Sequence, residues 1–254
     1  MATAPGALIR SIPQRLIPAP TADGGGGGDL ALRLDSYGGV YTMPAVRKAH
    51  VLAEEGSYYT AGTATGVVPT YGTSLSATAP FITVYNGNLS KNLYLDYIAL
   101  TAIAAGIVAT TIGYTALNVV VDNINRYTSG GTALGAGVNV NMNAASNSGA
   151  VINCGAITAT AASANARTIV PGRNIRPGVS STVANVAGDM NLLNFGSVEG
   201  ATGSIVIANA NIMPQALPPI MLPPGSTALI SIWYAISTAP SAATYAPEIG
   251  FWVR

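Results

Sequence analysis

The chain has 254 residues, of which 8% are charged and 49% hydrophobic, with a formal net charge of +1. That balance excludes intrinsic disorder, which needs low hydrophobicity and high charge, and it lacks the broad basic surface of a nucleic-acid binder. Soluble monomers carry more surface charge, so the composition points to a chain that hides much of its surface in an assembly.

Residues 1–35 are expected to form an extended arm. IRSIPQRLIPAP alternates aliphatics with Arg10, Arg15 and prolines, which fix φ and withhold donors from helix or sheet. Ala7-Leu8-Ile9 is too short for the core of a signal peptide, and Arg10 and Arg15 follow it rather than precede it. Gly24 to Gly28 make a flexible hinge. They are no phosphate loop, since no Gly-Lys-Ser/Thr follows and no strand precedes. Such an arm is expected to lie against a neighbouring copy or another protein, with Arg10, Ile12, Arg15, Leu16 and Ile17 as contact residues.

Residues 36–254 are expected to form one β-sandwich domain. In VRKAHVLAEE the acidic pair Glu54-Glu55 would oppose the dipole at the end of a helix, so an extended segment is expected. It holds the only histidine, His50, which has no nucleophile motif nearby and is assigned a hydrogen-bonded structural role rather than a catalytic one. PFITVYN alternates as a short strand ended by Asn86-Gly87. KNLYLDYIALTA places Leu93, Leu95, Tyr97 and Ala99 on one face.

From Tyr97 to Val121 no residue is charged, a length that could span a bilayer. Gly106 and Gly113 divide it, Asp96 and Asp122 bracket it, and Ile, Val and Thr are frequent, so strand, turn and strand are expected and no membrane partner. IGYTALNVVVDNINRY reads as one further strand, expected to stop at the turn Ser129-Gly130-Gly131. VNVNMN alternates strictly, placing Asn139, Asn141 and Asn143 on one polar face. That face is either half-solvated or a row that bonds another surface or a polysaccharide.

VINCGAITATA reads as a strand, with Cys154 a small buried hydrophobe. One cysteine allows neither an intrachain disulfide nor a cysteine metal site. TIVPGRNIRPGV reads as a loop, and its Arg167, Arg173 and Arg176 form the densest basic cluster. Arg173 and Arg176 are interface candidates that would meet a partner's carboxylates or carbonyls.

Near the end, Leu217-Pro218-Pro219 and Leu222-Pro223-Pro224 lead through Gly225-Ser226 into Thr227–Ile236. There Ala228, Ile230, Ile232, Tyr234 and Ile236 share one face of a strand that should be buried on that face and partly covered on the other. The prolines are expected to make a non-pairing edge at the surface or at a subunit boundary, with Leu217 and Leu222 in contact there.

The acids are scattered, and no HExxH, CxxC or GxSxG occurs. Asp122-Asn123-Asn125 lacks the spacing of a calcium loop. No catalytic, metal or cofactor site is expected, and the chain is expected not to be an enzyme. Strand candidates every 10–20 residues, separated by Gly, Pro and Asn turns, suggest an all-β jelly roll or sandwich.

HVLAEEGSYY, SATAPFITVYN, NLYLDYIALTAIAAG and LPPGSTALISIWY, in that order, resemble small virion structural proteins of tailed bacteriophages, in particular capsid cement or decoration proteins of jelly-roll type. The resemblance spans about Val46–Tyr234 and is one of texture and segment order, with no residue roles to carry over. It implies a homotrimer seated on the major capsid protein at the capsid surface, assembled in the host cytoplasm, with the arm gripping neighbouring subunits. A receptor- or carbohydrate-binding tail module and a major jelly-roll coat subunit are the alternatives.

Overall fold

The computed structural model describes residues 48–70, 72–104, 115–176, 187–196, 205–207, 210–234 and 243–254. The expected arm, with Arg10, Ile12, Arg15, Leu16 and Ile17, lies outside them, as does Ile236. The compact unit that carries the fold is Ala49–Arg254.

It opens with a helix where an extended segment was expected, α1 (Lys48–Glu54). The acidic end costs only a few tenths of a kcal/mol. Against it, Gly56 takes φ 68° and the turn closes with Gly56 N–H donating to Ala53 O and Ser57 N–H to Leu52 O, a glycine cap that satisfies the terminal carbonyls. His50 is exposed on this helix, not tucked into a structural hydrogen bond in the core.

The strands follow in chain order: β1 (Tyr58–Gly62), β2 (Ile82–Asn86), β3 (Leu93–Ala104), β4 (Thr115–Asp122), β5 (Tyr127–Gly135), β6 (Val138–Asn139) and β7 (Ala150–Ala159). Then come β8 (Arg167–Arg176), β9 (Met190–Phe195), β10 (Ile205–Ile207), β11 (Ala210–Leu217), β12 (Ile220–Leu222), β13 (Thr227–Tyr234) and β14 (Thr244–Val253). One sheet has the order β10-β11-β9-β3-β14-β1-β6, with β12 also paired to β3, and the other the order β5-β7-β2-β13-β4-β8. The two sheets pack face to face as a β-sandwich. Between them lies one core to which β3 contributes Leu93, Leu95, Ile98 and Leu100, and β13 contributes Ala228, Ile230 and Ile232. No helix among the described residues is long and apolar enough to cross a membrane.

The expected faces hold for β13, but it is buried on both faces, with Trp233 alone half-buried, and it runs between β2 and β4 in the middle of its sheet. In β3 the expected face changes partway. Leu93 and Leu95 point inward, then a bulge opposite Gly250/Phe251 inserts Asp96, and the inward set becomes Ile98, Leu100 and Ala102. An extra residue on one strand reverses every side chain beyond it.

The Ser129-Gly130-Gly131 segment does not end a strand. It lies inside β5, where Gly130 (φ 84°) and Gly131 (φ 72°) sit at irregularities in the pairing with β7. The arginine segment is a strand too. β8 is the last strand of its sheet, which is why Pro171 is tolerated in it.

The proline-rich stretch pairs more than expected. β11 lies parallel to β9 and ends at Leu217. Pro218-Pro219 then step the chain sideways so that β12 pairs with β3, Ile220 opposite Leu95 and Leu222 opposite Leu93. Pro223-Pro224-Gly225 carry it across to the other sheet as β13. Asn86 pins that crossing, its Nδ2 donating to Leu222 O at 2.8 Å and to Lys91 O at 2.9 Å. The four prolines are exposed, as expected of a surface segment. Leu217 and Leu222, however, are 2% and 1% exposed. Their side chains alternate inward from the paired strands and belong to the core, so neither is an interface residue.

Candidate functional site

VNVNMN carries the most informative departure from expectation. Only Val138 and Asn139 form a strand, paired to β1 through Thr60 and Tyr59. Beyond them the asparagines bend the chain: Asn139 Oδ1 accepts from Asn141 N–H at 2.9 Å, and Asn141 Oδ1 accepts from Asn143 N–H at 2.9 Å. The amides of Asn139 and Asn141 are spent on the protein itself. Asn139 Nδ2 donates to Gly56 O at 2.7 Å and to Ala145 O at 3.2 Å, and Asn141 Nδ2 donates to Glu54 O at 3.1 Å. Asn139 is 3% exposed. The asparagine row is therefore no ligand-facing ladder, because asparagine bonds its own backbone two residues on more readily than it holds a regular strand.

The inversion turns the apolar partners outward. Val138 is 64% exposed, Val140 43% and Met142 94%. Leu89, 95% exposed, stands on the loop after β2, which Asn88 Nδ2 ties to Ser148 O, ahead of β7, at 3.2 Å. Val138 stands in β6, a terminal strand of the larger sheet, and Val140 and Met142 follow in the bend after it. Sheet edges are usually protected by charge. β8, the end strand of the other sheet, follows that rule with Arg167 and Arg173. Arg173 is exposed, and its Nη1 donates to the carbonyl of Ala216 in the chain itself. Arg176 pairs with Thr115 in the ladder.

A second cluster occupies the outer face of the larger sheet, over β1, β14 and β3. Tyr58 donates its hydroxyl to Asp96 Oδ2 at 2.7 Å, and Tyr97 donates to Glu248 Oε1. Gly250 lies beneath both: a Cβ there would strike the Tyr97 ring and approach Tyr58 Oη to 2.6 Å. The Tyr58 hydroxyl reaches across β14 to Asp96 because that position has no side chain. Burial first, then the hydrogen bond and charge of the partner carboxylate, hold both phenols well above the ordinary tyrosine range, so both stay neutral donors. Beside them Tyr94 and Trp252 stack at 5.5 Å between ring centroids. Sequence reasoning missed this cluster, although the change of phase in LYLDYIAL and the glycine within EIGFW both signalled it.

A third group is structural. Arg126 is 1% exposed. Its Nε donates to Thr160 O at 3.0 Å, and its Nη2 to Thr160 O at 2.7 Å and Ala77 O at 2.9 Å. Asp122, with its carboxylate 3.8 Å from Arg126 Nε, accepts from Ser163 N–H at 2.9 Å, from Ser163 Oγ and from Asn123 N–H at 2.8 Å. Its oxygens thus serve loop closure. Among the described residues no three His, Cys, Asp or Glu side chains gather as metal ligands. Cys154 is fully buried, and burial pushes its thiol up to about 11, so it packs as the small hydrophobe expected.

These features define an all-β sandwich in which the β8 edge carries exposed arginines and the β6 end carries exposed apolar residues. Comparison with protein families, curated proteins and solved structures finds no match to the chain.

Proposed function

We propose that the chain is a non-enzymatic structural subunit of a phage virion, a cement or decoration protein that packs against the major capsid protein and against its own copies as a homotrimer. The observation that carries this is the segment that begins with β6, where Asn139 is buried and Val138, Val140 and Met142 are exposed. A monomer gains nothing from exposing an apolar stripe on an unprotected edge, whereas a subunit can bury it against a neighbour. The 8% charge content supports the same conclusion.

The test pairs Val138→Asp with Met142→Asp. Both side chains are exposed, so the unfolding free energy should stay within about 0.5 kcal/mol of the parent. Self-association in sedimentation velocity, and co-sedimentation with phage capsids stripped of the protein, should be lost. Variants that associate and bind capsids as the parent does would sink the proposal. Deleting residues 1–28 in parallel measures the arm's share of capsid binding.

A receptor- or carbohydrate-recognising tail module is the second possibility. It is favoured by the Tyr58, Tyr94, Tyr97 and Trp252 cluster with its two carboxylates, since aromatic faces and fixed acceptors suit sugar rings. Glycan-array binding that disappears in Glu248→Ala would move the assignment there.

A further inference from the structure

We propose that the cleft at the end of the smaller sheet, between the end of β4, the start of β8 and the β12–β13 turn, binds the carboxylate of a small organic acid with an apolar body. The cleft encloses about 470 Å³, within the roughly 300–1,000 Å³ usual for small-molecule sites. Its polar wall is formed by Asn123, Asn165, Arg167 and Ser226, and its apolar wall includes Met221 and Pro223.

Asn123, Asn165 and Ser226 each offer the cleft donors as well as an acceptor, and Arg167 offers donors alone. Asp122 also lines the cleft, but its oxygens already accept from Ser163 and Asn123 N–H, and Arg126 lies beside it as a counter-charge. Ser163 gives its one hydroxyl hydrogen to Asp122, so the Asn123 side-chain amide is not claimed by it and can turn its N–H groups to a ligand in the cleft. Arg167, exposed at the mouth, therefore sets the local charge. A guanidinium flanked by amides matches a carboxylate. Met221, 51% exposed, offers a flexible apolar surface that adapts to the rest of the ligand.

The experiment titrates the full chain with hexanoate and, separately, with the uncharged isostere hexanamide, following backbone amide signals by NMR. Saturable shifts at Asn123, Asn165 and Arg167 are expected with hexanoate. They should weaken by about tenfold in Arg167→Ala and less in Arg167→Lys, because a charge-assisted hydrogen bond is lost in the first and partly kept in the second. Hexanamide should bind about as weakly as hexanoate binds the Arg167→Ala variant. Equal binding of acid and amide, unchanged binding in Arg167→Ala, or no saturable shift overturns the proposal. A capped glutamyl peptide that binds more tightly than hexanoate overturns the small-acid assignment, since the cleft would then read a protein side chain.

Discussion

Replacing Arg126 with methionine should destabilise the fold by about 3–5 kcal/mol, the usual cost of removing one partner of a buried ion pair. The change keeps much of the side-chain volume but strips three hydrogen bonds from the carbonyls of Ala77 and Thr160 and leaves Asp122 without its counter-charge. Adding Asp122→Asn to the variant should restore part of the loss, because the orphaned charge is then gone. Denaturant unfolding of the single and double variants measures both. A loss below about 1 kcal/mol for Arg126→Met would show that the clasp is ornamental.

The same clasp sets a pH dependence. Burial alone would raise the carboxyl of Asp122, but the hydrogen bonds from Ser163 and Asn123 and the charge of Arg126 outweigh it, and the group lies below its ordinary value of 3.8. The unfolded chain therefore binds this proton more readily than the folded one. Its contribution is fully present above the unfolded value and is lost as pH falls through the folded value. Asp122→Asn should flatten the acid limb of a plot of unfolding midpoint against pH.

Gly250→Ala should cost about 1–3 kcal/mol, although Gly250 is not held at positive φ and alanine favours a strand no less than glycine does. The added methyl occupies space already taken by the Tyr97 ring and the Tyr58 hydroxyl. Both side chains must swing away, which breaks their hydrogen bonds to Asp96 and Glu248. Ultraviolet titration should then show tyrosines ionising at lower pH than in the parent, since the raised phenols lose the burial and bonding that hold them up. Adding Tyr97→Ala should recover stability if the clash is the cause. A single variant as stable as the parent, with an unchanged titration, rules out the proposed packing.

The all-β class was legible because the strands alternate with a period of two and are punctuated by glycine, proline and asparagine. β13 shows it most directly: its inward set Ala228, Ile230 and Ile232 was readable one residue at a time. What failed were places where one local device overrides the pattern. Gly56 caps a helix that the charges alone would discourage. Asp96 slips the phase of β3, so Tyr97 and Ala99 leave the face of Leu93 and Leu95. Gly130 and Gly131 bend β5 without ending it, since a bulge and a turn draw on the same residues. Pro171 marked β8 as a loop because edge position, which permits proline, belongs to the sheet and not to the segment.

The candidate surfaces were less legible for the same reason. VNVNMN alternates as well as any strand, but which face points inward depends on α1 and the Gly56 turn, more than eighty residues earlier, whose carbonyls claim the asparagine amides. The cleft draws on β4, β8 and the β12–β13 turn, which meet only once the sheets are assembled. Of the interface residues named from sequence, Arg173 stands exposed, while Leu217 and Leu222 turned inward because the proline stretch pairs after all.

The run from β11 through β12 to β13 also has a mechanical side. One unbroken piece of chain lies beside β9, then beside β3, then between β2 and β4. Force entering the larger sheet is therefore handed to the smaller one through covalent bonds at Pro223-Ser226, not through side-chain contact alone. On arrival it meets resistance in shear, because eight residue pairs to β4 and four to β2 must give way together. β6, held to β1 by two pairs, can instead be peeled open one bond at a time. A pull on that end should strip β6 long before it separates the layers.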